Sequence, residues 1–379
     1  MPPLRPLLLG LVLAAAGCAA TPGQPTIFDH TGVHHPEALF DVATRSAKLR
    51  QVSGGSAKRK GERKGAQICV RASDVPDYGP LIGPSLAAVR GGGDTNNDAR
   101  DMARALNASA FYVLYQNDEA RARQDVAVLR RHADANAWIV ANPSWTNAAG
   151  VINTMGALLP AWQILRQTDA PTAQDRAAIE AWLGRLARQA DEHPGDNNVG
   201  TARGAGDMML GLMLGDDARY RKGVQQGFNA QLAAMRADGS FPAEVDRGRG
   251  ALQNQSRNIA FLVYAAEIAS SQGENLYGAT VDGKGIDDAI RFLLAAADDN
   301  ALVDGYAAAN RNPPKPAPDF APGAQLDPFD STARGWAMLY TQRYPRSELS
   351  DAIRAHVAIG RRVSSDTVGG NVTCYAKRL

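Results

Sequence analysis

Stretches that are apolar almost all round alternate along this chain with stretches that are apolar on one side only, and this alternation restricts the fold more than any other feature. Residues 147–168 and 199–215 belong to the first kind, the latter rich in Gly, Ala and Met. A helix of that composition has to be covered on every side. Residues 172–192 and 217–237 belong to the second kind. Thr172 followed by Gln174-Asp175 opens one of them, His193-Pro194 stops it, and Asp238-Gly239 closes the other. Upstream, Ala99, Met102, Ala103, Leu106, Ala110 and Val113 fall at helical spacing within 98–116, and Ala122, Val126, Leu129 and Trp138 within 119–141. Residues 252–271, 286–297 and 331–344 continue the scheme, and strand-like alternation is scarce. The hairpins recur about every 45 residues, long enough for a helical repeat. An inner ring of buried helices wrapped by an outer ring of two-faced ones gives this rhythm, so the expected architecture is all-α, an α/α toroid. Its natural use is a central cleft for an extended polymer. Residues 305–330, with Pro313, Pro314, Pro316, Pro318 and Pro322, read as a long irregular loop of the kind that is commonly functional.

The N-terminus sets the compartment. Arg5 precedes an apolar run from Leu7 to Ala16, which ends Ala15-Ala16-Gly17-Cys18. One charge, a short apolar stretch and small residues describe a secretory signal, and the run is far shorter than the roughly 20 residues of a membrane span. The last four residues resemble a bacterial lipobox, in which the cysteine is lipidated and becomes the first residue of the mature protein. The expectation is a periplasmic protein joined to the membrane by a lipid on Cys18 alone, and Ala19 implies the outer membrane. A plain signal peptide with an incidental cysteine is the other reading.

Two cysteines remain, Cys69 and Cys374. In an oxidising compartment such a pair forms a bridge or stays as two separate buried thiols, and the bridge would tie the start of the domain to its end. Between anchor and domain, Lys48, Arg50, Lys58, Arg59, Lys60, Arg63 and Lys64 face only Glu62. Such a segment reads as a solvated linker. The division is therefore 1–18 as signal, 19–68 as flexible basic linker and 69–379 as toroid. A net charge of +2 gives no reason to expect nucleic acid as partner.

Two motifs carry a resemblance. The first is Asp196-Asn197-Asn198-Val199-Gly200-Thr201-Ala202-Arg203, and the second runs from Asp238-Gly239-Ser240-Phe241-Pro242-Ala243-Glu244 through Arg247 to Leu252. Together with their spacing they resemble the alginate lyase family of polysaccharide lyases, over roughly residues 95 to 345 in element order. In that family an Asn-Asn-His motif opens one inner helix, and an Asp-Gly, Pro, Glu, Arg turn precedes a helix bearing a tyrosine. The resemblance implies β-elimination on an acidic, uronate-containing polysaccharide. The C5 proton beside a carboxylate is very weakly acidic, so neutralising that carboxylate is the main electrostatic demand. Asn amides and an Arg fork suit the task. Asn198 and Arg247 take the matching positions, and Asn197, Arg203, Arg249, Gln253, Asn254 and Arg257 are expected to hold substrate. Asn197-Asn198 acting only as a helix cap is the bland alternative.

Two positions depart from the family's pattern. Its histidine is Val199 here, and its tyrosine falls on Gln253 or Asn254, none of which is a competent acid or base. Three accounts follow. Another group, His193 or Tyr306, carries the proton. Or a carboxylate pair drawn from Glu244, Asp246 and Asp207 hydrolyses a glycosidic bond. Or the cleft binds glycan without cleaving it.

Among Trp138, Trp145, Trp162, Trp182 and Trp336 most are expected in the core, with Trp145 facing the cleft. No His/Cys cluster has metal-ligand spacing, and no strand precedes Gly91-Gly92-Gly93, so neither metal nor cofactor is expected.

Overall fold

Apolar helices need neighbours on all sides, and the computed structural model shows where they find them; it describes residues 33–53, 68, 69, 75, 95–192, 195–309 and 320–376. The helices are α1 (Val42–Ser53), α2 (Thr95–Gln116), α3 (Glu119–Asp134), α4 (Trp145–Leu165), α5 (Ala173–Asp191), α6 (Asn198–Leu214), α7 (Asp217–Lys222), α8 (Ala230–Ala234), α9 (Pro242–Val245), α10 (Ala251–Ser271), α11 (Ile286–Asp298), α12 (Ala301–Ala307), α13 (Ser331–Arg343), α14 (Glu348–His356) and α15 (Val372–Ala376). Among the described residues the only β pairing is two isolated bridges, Val281 with Lys284 and Ser365 with Gly370.

The inner ring is α2, α4, α6, α10 and α13, each packed on the next in that order. The intervening helices lie outside: α3 against α5, α5 and α7 against α6, and α11 against α10 and α14. The architecture is an α/α toroid. A 3-10 turn, Asp366–Val368, packs against α4, α10 and α13 and plugs the ring. α4 is long and apolar enough to cross a membrane by composition, yet most of it is enclosed by the other helices.

Local chemistry sets the ends. Ser144 and Asn147 form a reciprocal cap at the start of α4, and Thr172 and Asp175 do the same for α5. Between α7 and α8 a π-helical turn, Gly223–Asn229, lies on α6 so closely that a Cβ on Gly204 would sit 2.4 Å from Gly227 Cα. Only glycines allow that approach.

Two expectations need correction. The helix expected over 119–141 ends at Asp134, because Asn136 and Trp138 take positive φ of 46° and 65°. That bend lets Trp138 meet His132 and Trp182, while Ala137 O accepts from Trp182 Nε1 at 2.9 Å. The basic linker expected over 19–68 is not linker over 33–53. There α1 buries Leu49 completely, and Arg45 Nε donates to Cys374 O at 2.6 Å. Helical burial of one face overrides the segment's basic composition. Cys69 and Cys374 are disulfide-bonded across 305 residues of sequence. Cys18 lies outside the described residues.

Candidate functional site

The second motif is built to aim two side chains. Asp238 Oδ1 accepts from Ser240 N and Oγ, and Gly239 takes φ +92° against Asp288 O, where a Cβ would come within 2.2 Å. Gln255, on α10, fixes this turn by accepting from Phe241 N and donating to Gly239 O, both at 3.0 Å. Pro242 then opens the single turn α9, a position where its missing N–H costs nothing. α9 carries Glu244 inward, fully buried, and the chain leaves it at Arg247.

Glu244 meets the first motif. Its carboxylate accepts from the backbone N–H of Asn198, from Asn198 Nδ2 at 2.8 Å and from Arg247 Nη1 at 3.3 Å. Asn254 Oδ1 also accepts from Arg247 Nη1, at 3.2 Å, while Asn254 Nδ2 is held by Gly250 O at 2.8 Å. Asn198, Arg247 and Asn254 are thus locked about one buried carboxylate. Burial pushes that carboxyl above its ordinary value, and Arg247 and the Asn198 donors oppose the shift.

A cleft of about 320 Å³ opens on this cluster. Every inner helix contributes to its lining: Arg100 from α2, Trp145 and Asn153 from α4, Asn198 and Val199 from α6, Asn254, Arg257 and Phe261 from α10, and Thr332 from α13. Thr367 of the plug completes it. Most of these residues sit in the first two turns of their helices. The inner helices therefore direct their N-terminal ends, the positive ends of their dipoles, at one mouth of the ring.

Three guanidinium groups line the same cleft. Arg100 leans on Asp366 at 3.7 Å, and Arg247 is tied to Glu244. Among the described residues Arg257 has no ion-pair partner within 4 Å. Burial lowers the pKa of Arg257, Asp330 opposes, and the neighbouring charges of Arg100 and Arg247 lower it further. Three cations whose carboxylate partners stand outside the described lining make a cleft that favours an anion.

The expected site residues divide accordingly. Asn198, Arg247, Asn254, Arg257 and Trp145 line the cleft. Trp138, Trp162, Trp182 and Trp336 are buried. Asn197 instead caps α6, accepting from Val199 N at 3.0 Å. Arg203 lies on another face of α6, 6% exposed, between Asp191 and Gln226, each at 3.5 Å. Helical spacing puts it there: five residues beyond Asn198 is well over one turn. Gln253 turns toward Asp330 at 3.5 Å, so Asn254, not Gln253, stands in the cleft. Arg249 is exposed outside it, its carbonyl accepting from Leu326 N at 2.8 Å. His193 lies outside the described residues.

The alternative proton carriers fare differently from the neutralising pair. Tyr306 donates to Asp238 at 2.8 Å under the Arg236 guanidinium and does not line the cleft. The carboxylates that hydrolysis would use are engaged elsewhere: Asp246 with Arg236 at 3.2 Å, Asp207 with Arg219 at 2.5 Å, and Glu244 beneath the cleft as described. Among the described residues the lining contains no imidazole, phenol or carboxylate.

Sequence reasoning missed Arg100, Asn153, Phe261, Thr332 and Thr367. They share no motif, and only the packing of the inner helices and the Asp366–Val368 turn brings them together. The anchoring role of Glu244 had one usable signal, its place between Pro242 and Arg247 in the second motif.

Comparison with known proteins agrees with this architecture. The model of the family described as alginate lyase matches residues 90–302. A polysaccharide lyase of Stenotrophomonas maltophilia (strain K279a) is 29% identical over 217 residues, 56% of this chain and 58% of the relative. The chain thus spans less than two thirds of that relative's length. Among solved structures, alginate lyase A1-III from Sphingomonas species A1 superposes with a TM-score of 0.68 at 20% identity, covering 93% of this chain and 99% of its own. A His→Ala form of A1-III complexed with a tetrasaccharide gives 0.68 at 21% identity, covering 92% of this chain and 97% of that one. An alginate lyase from Bacteroides ovatus gives 0.59 at 18%, covering 90% and 100%. At these identities the solved structures share the fold.

Proposed function

The chain belongs to the alginate lyase family, and from that premise we propose that it cleaves an acidic, uronate-containing polysaccharide by β-elimination. The observation that carries this reading is the convergence of Asn198, Arg247, Arg257 and Arg100 on one cleft. A uronate carboxylate placed against Arg247, with the Asn198 amide held beside it by Glu244 and Asn254, would have its negative charge offset there, which acidifies the C5 proton beside it. Glu244 occupies Nη1 of Arg247, and Nη2 and Nε remain to form a fork with the ligand. Arg257 and Arg100 would hold carboxylates of neighbouring sugars. The A1-III structure complexed with a tetrasaccharide supports an oligosaccharide ligand for this fold.

Removal of the C5 proton needs a base, and we assign it to His193, five residues before Asn198. Among the described residues the imidazoles lie away from the cleft: His34 and His35 precede α1, His35 against Gln272, while His132 is held by Val128 O and His356 by Ala352 O and Asp298. The signal ending at Cys18 supports a periplasmic location on the outer membrane, and the Cys69–Cys374 bridge fits an oxidising compartment.

The test is ultraviolet absorbance of the conjugated uronate while the protein meets a panel of acidic polysaccharides. A rise with one polymer that Arg247→Ala abolishes, with the fold kept, is the expected result. Full activity of Arg247→Ala would overturn the assignment. A second reading, glycan binding without cleavage, draws on the absence of any acid or base among the described cleft residues. Tight binding with a flat absorbance trace on the same panel would establish it instead.

A further inference from the structure

Resting on that reading of the cleft, we propose that its ligand is a uronate polymer bearing acetyl groups close to the carboxylate, and that Val199 sets this preference. Val199 does not join the main core. With Ala149, Ile152, Ala190, Ala202 and Phe261 it forms a separate apolar cluster, against which Trp145 packs. Trp145, Ala149, Val199 and Phe261 also line the cleft. The site that gathers three guanidinium groups therefore has an apolar wall beside them.

An unsubstituted uronate carries hydroxyl groups round its ring. Stacking one sugar face on Trp145 explains an aromatic side chain, but it does not explain Val199 and Phe261 next to it. A hydroxyl pressed against these two would lose water and gain no partner. The rest of the lining is unbalanced in the same sense. Arg100, Arg247 and Arg257 supply donors only, and among the described residues the acceptors of the lining are neutral, the Asn153 amide and the hydroxyls of Thr146, Thr332 and Thr367, with no carboxylate to accept from a sugar hydroxyl. An acetyl group answers both conditions. It adds a carbonyl acceptor, which suits the guanidinium donors, and a methyl, which suits the wall; an ester also removes the O–H donor, whereas an amide keeps one N–H. The acetyl comes either from an O-acetyl ester on the uronate or from an N-acetyl amide on the adjoining amino sugar.

The experiment is calorimetric binding of the protein to two matched pairs: O-acetylated polymannuronate against the same polymer deacetylated in mild alkali, and hyaluronan against hyaluronan carrying N-formyl in place of N-acetyl, which keeps the amide and the charge and removes only the methyl. Burying one methyl predicts about fourfold tighter binding of the acetylated member. Val199→Thr, of nearly the same shape, should bring that ratio toward one. A preference within the first pair assigns the acetyl to the uronate, and within the second to the amino sugar. Equal affinity within both pairs overturns the proposal while the uronate reading stands. Binding to none of the four polymers overturns that reading and the proposal together. The wild-type comparison decides the matter even if the variant does not fold.

Discussion

Asn198 Nδ2 donates to Glu244 Oε2 at 2.8 Å across 46 residues of sequence, and the backbone N–H of Asn198 donates to the other oxygen of the same carboxylate. This double contact fastens the start of α6 to the turn before α10. It fixes the rotamer of Asn198 at the edge of the cleft, and Arg247 is fixed by the same group. A buried carboxylate with three donors organises the site without touching the ligand.

Removing it should therefore cost more than a surface ion pair. Glu244→Ala leaves Asn198 and Arg247 donors without an acceptor in a closed space, and breaking such a pair typically costs about 3–5 kcal/mol. Urea unfolding should show a loss of that order, with product formation reduced together with stability. A change below about 1 kcal/mol would mean that the carboxylate does not carry the cluster.

Arg257 offers a separable charge effect. Losing a hydrogen bond to a charged group is worth roughly 1.5–3 kcal/mol, or roughly ten- to a hundredfold in affinity. Arg257→Ala is expected to weaken polyuronate binding by that factor and to flatten its dependence on salt, since fewer screened charges remain. Titrations at two salt concentrations measure both, and an unchanged salt dependence would place Arg257 outside the binding surface.

Acid should destabilise the fold partly through His132. Burial between Trp138 and Trp182 lowers its pKa from the ordinary 6.5, against the opposing hydrogen bond to Val128 O. The unfolded chain then takes up a proton that the folded chain refuses. The contribution to stability is complete above 6.5 and is lost as pH falls below 6.5 toward the folded value. Tm should decline through that window, and His132→Phe should decline less; parallel curves would remove His132 as the cause.

The disulfide closes a loop of 305 residues and holds α15, next to the plug that carries Thr367. Cys374→Ser should lower stability by about 2–5 kcal/mol, seen as an earlier unfolding midpoint. The same shift should follow addition of reductant to the wild type. A midpoint unmoved by either change would show that the bridge contributes nothing.

The close approach of α6 and the π-helical turn gives a steric test. Gly204→Ala places a methyl inside contact distance of Gly227 and Gly223, which are backbone and have little room to give. Overpacking of this kind costs typically about 1–3 kcal/mol, and thermal unfolding should register it.

The motifs show how much of the site a single sequence carries. Asn198 and Arg247 were legible because each stands in a local motif, whereas the carboxylate of Glu244 that joins them, 46 residues from Asn198, is seen only in the fold. The choice between Gln253 and Asn254 was not, since adjacent helical positions point about 100° apart and only the packing of α10 says which one faces inward. Arg203 misled for the same reason. Its nearness to Asn198 in sequence suggested a shared surface, but helical rotation carried it to Asp191 and Gln226. The basic residues of 42–53 misled by composition, because the burial of one helical face by Leu49 outweighs the exposed charges around it.

By itself the sequence determined the helices, their division into buried and two-faced kinds, and through that rhythm the ring. Hydrophobic periodicity is a local property, and helices of known length joined by short turns leave few ways to bury every apolar face. Only the tertiary structure decided what the ring's mouth contains. Arg100, Trp145, Asn198, Arg257 and Thr332 come from five helices spread over more than 230 residues, and each is ordinary where it stands in the chain. They become a cationic cleft with one apolar wall because the inner helices present their N-terminal ends at the same mouth, and that common direction is a property of the packed helices together.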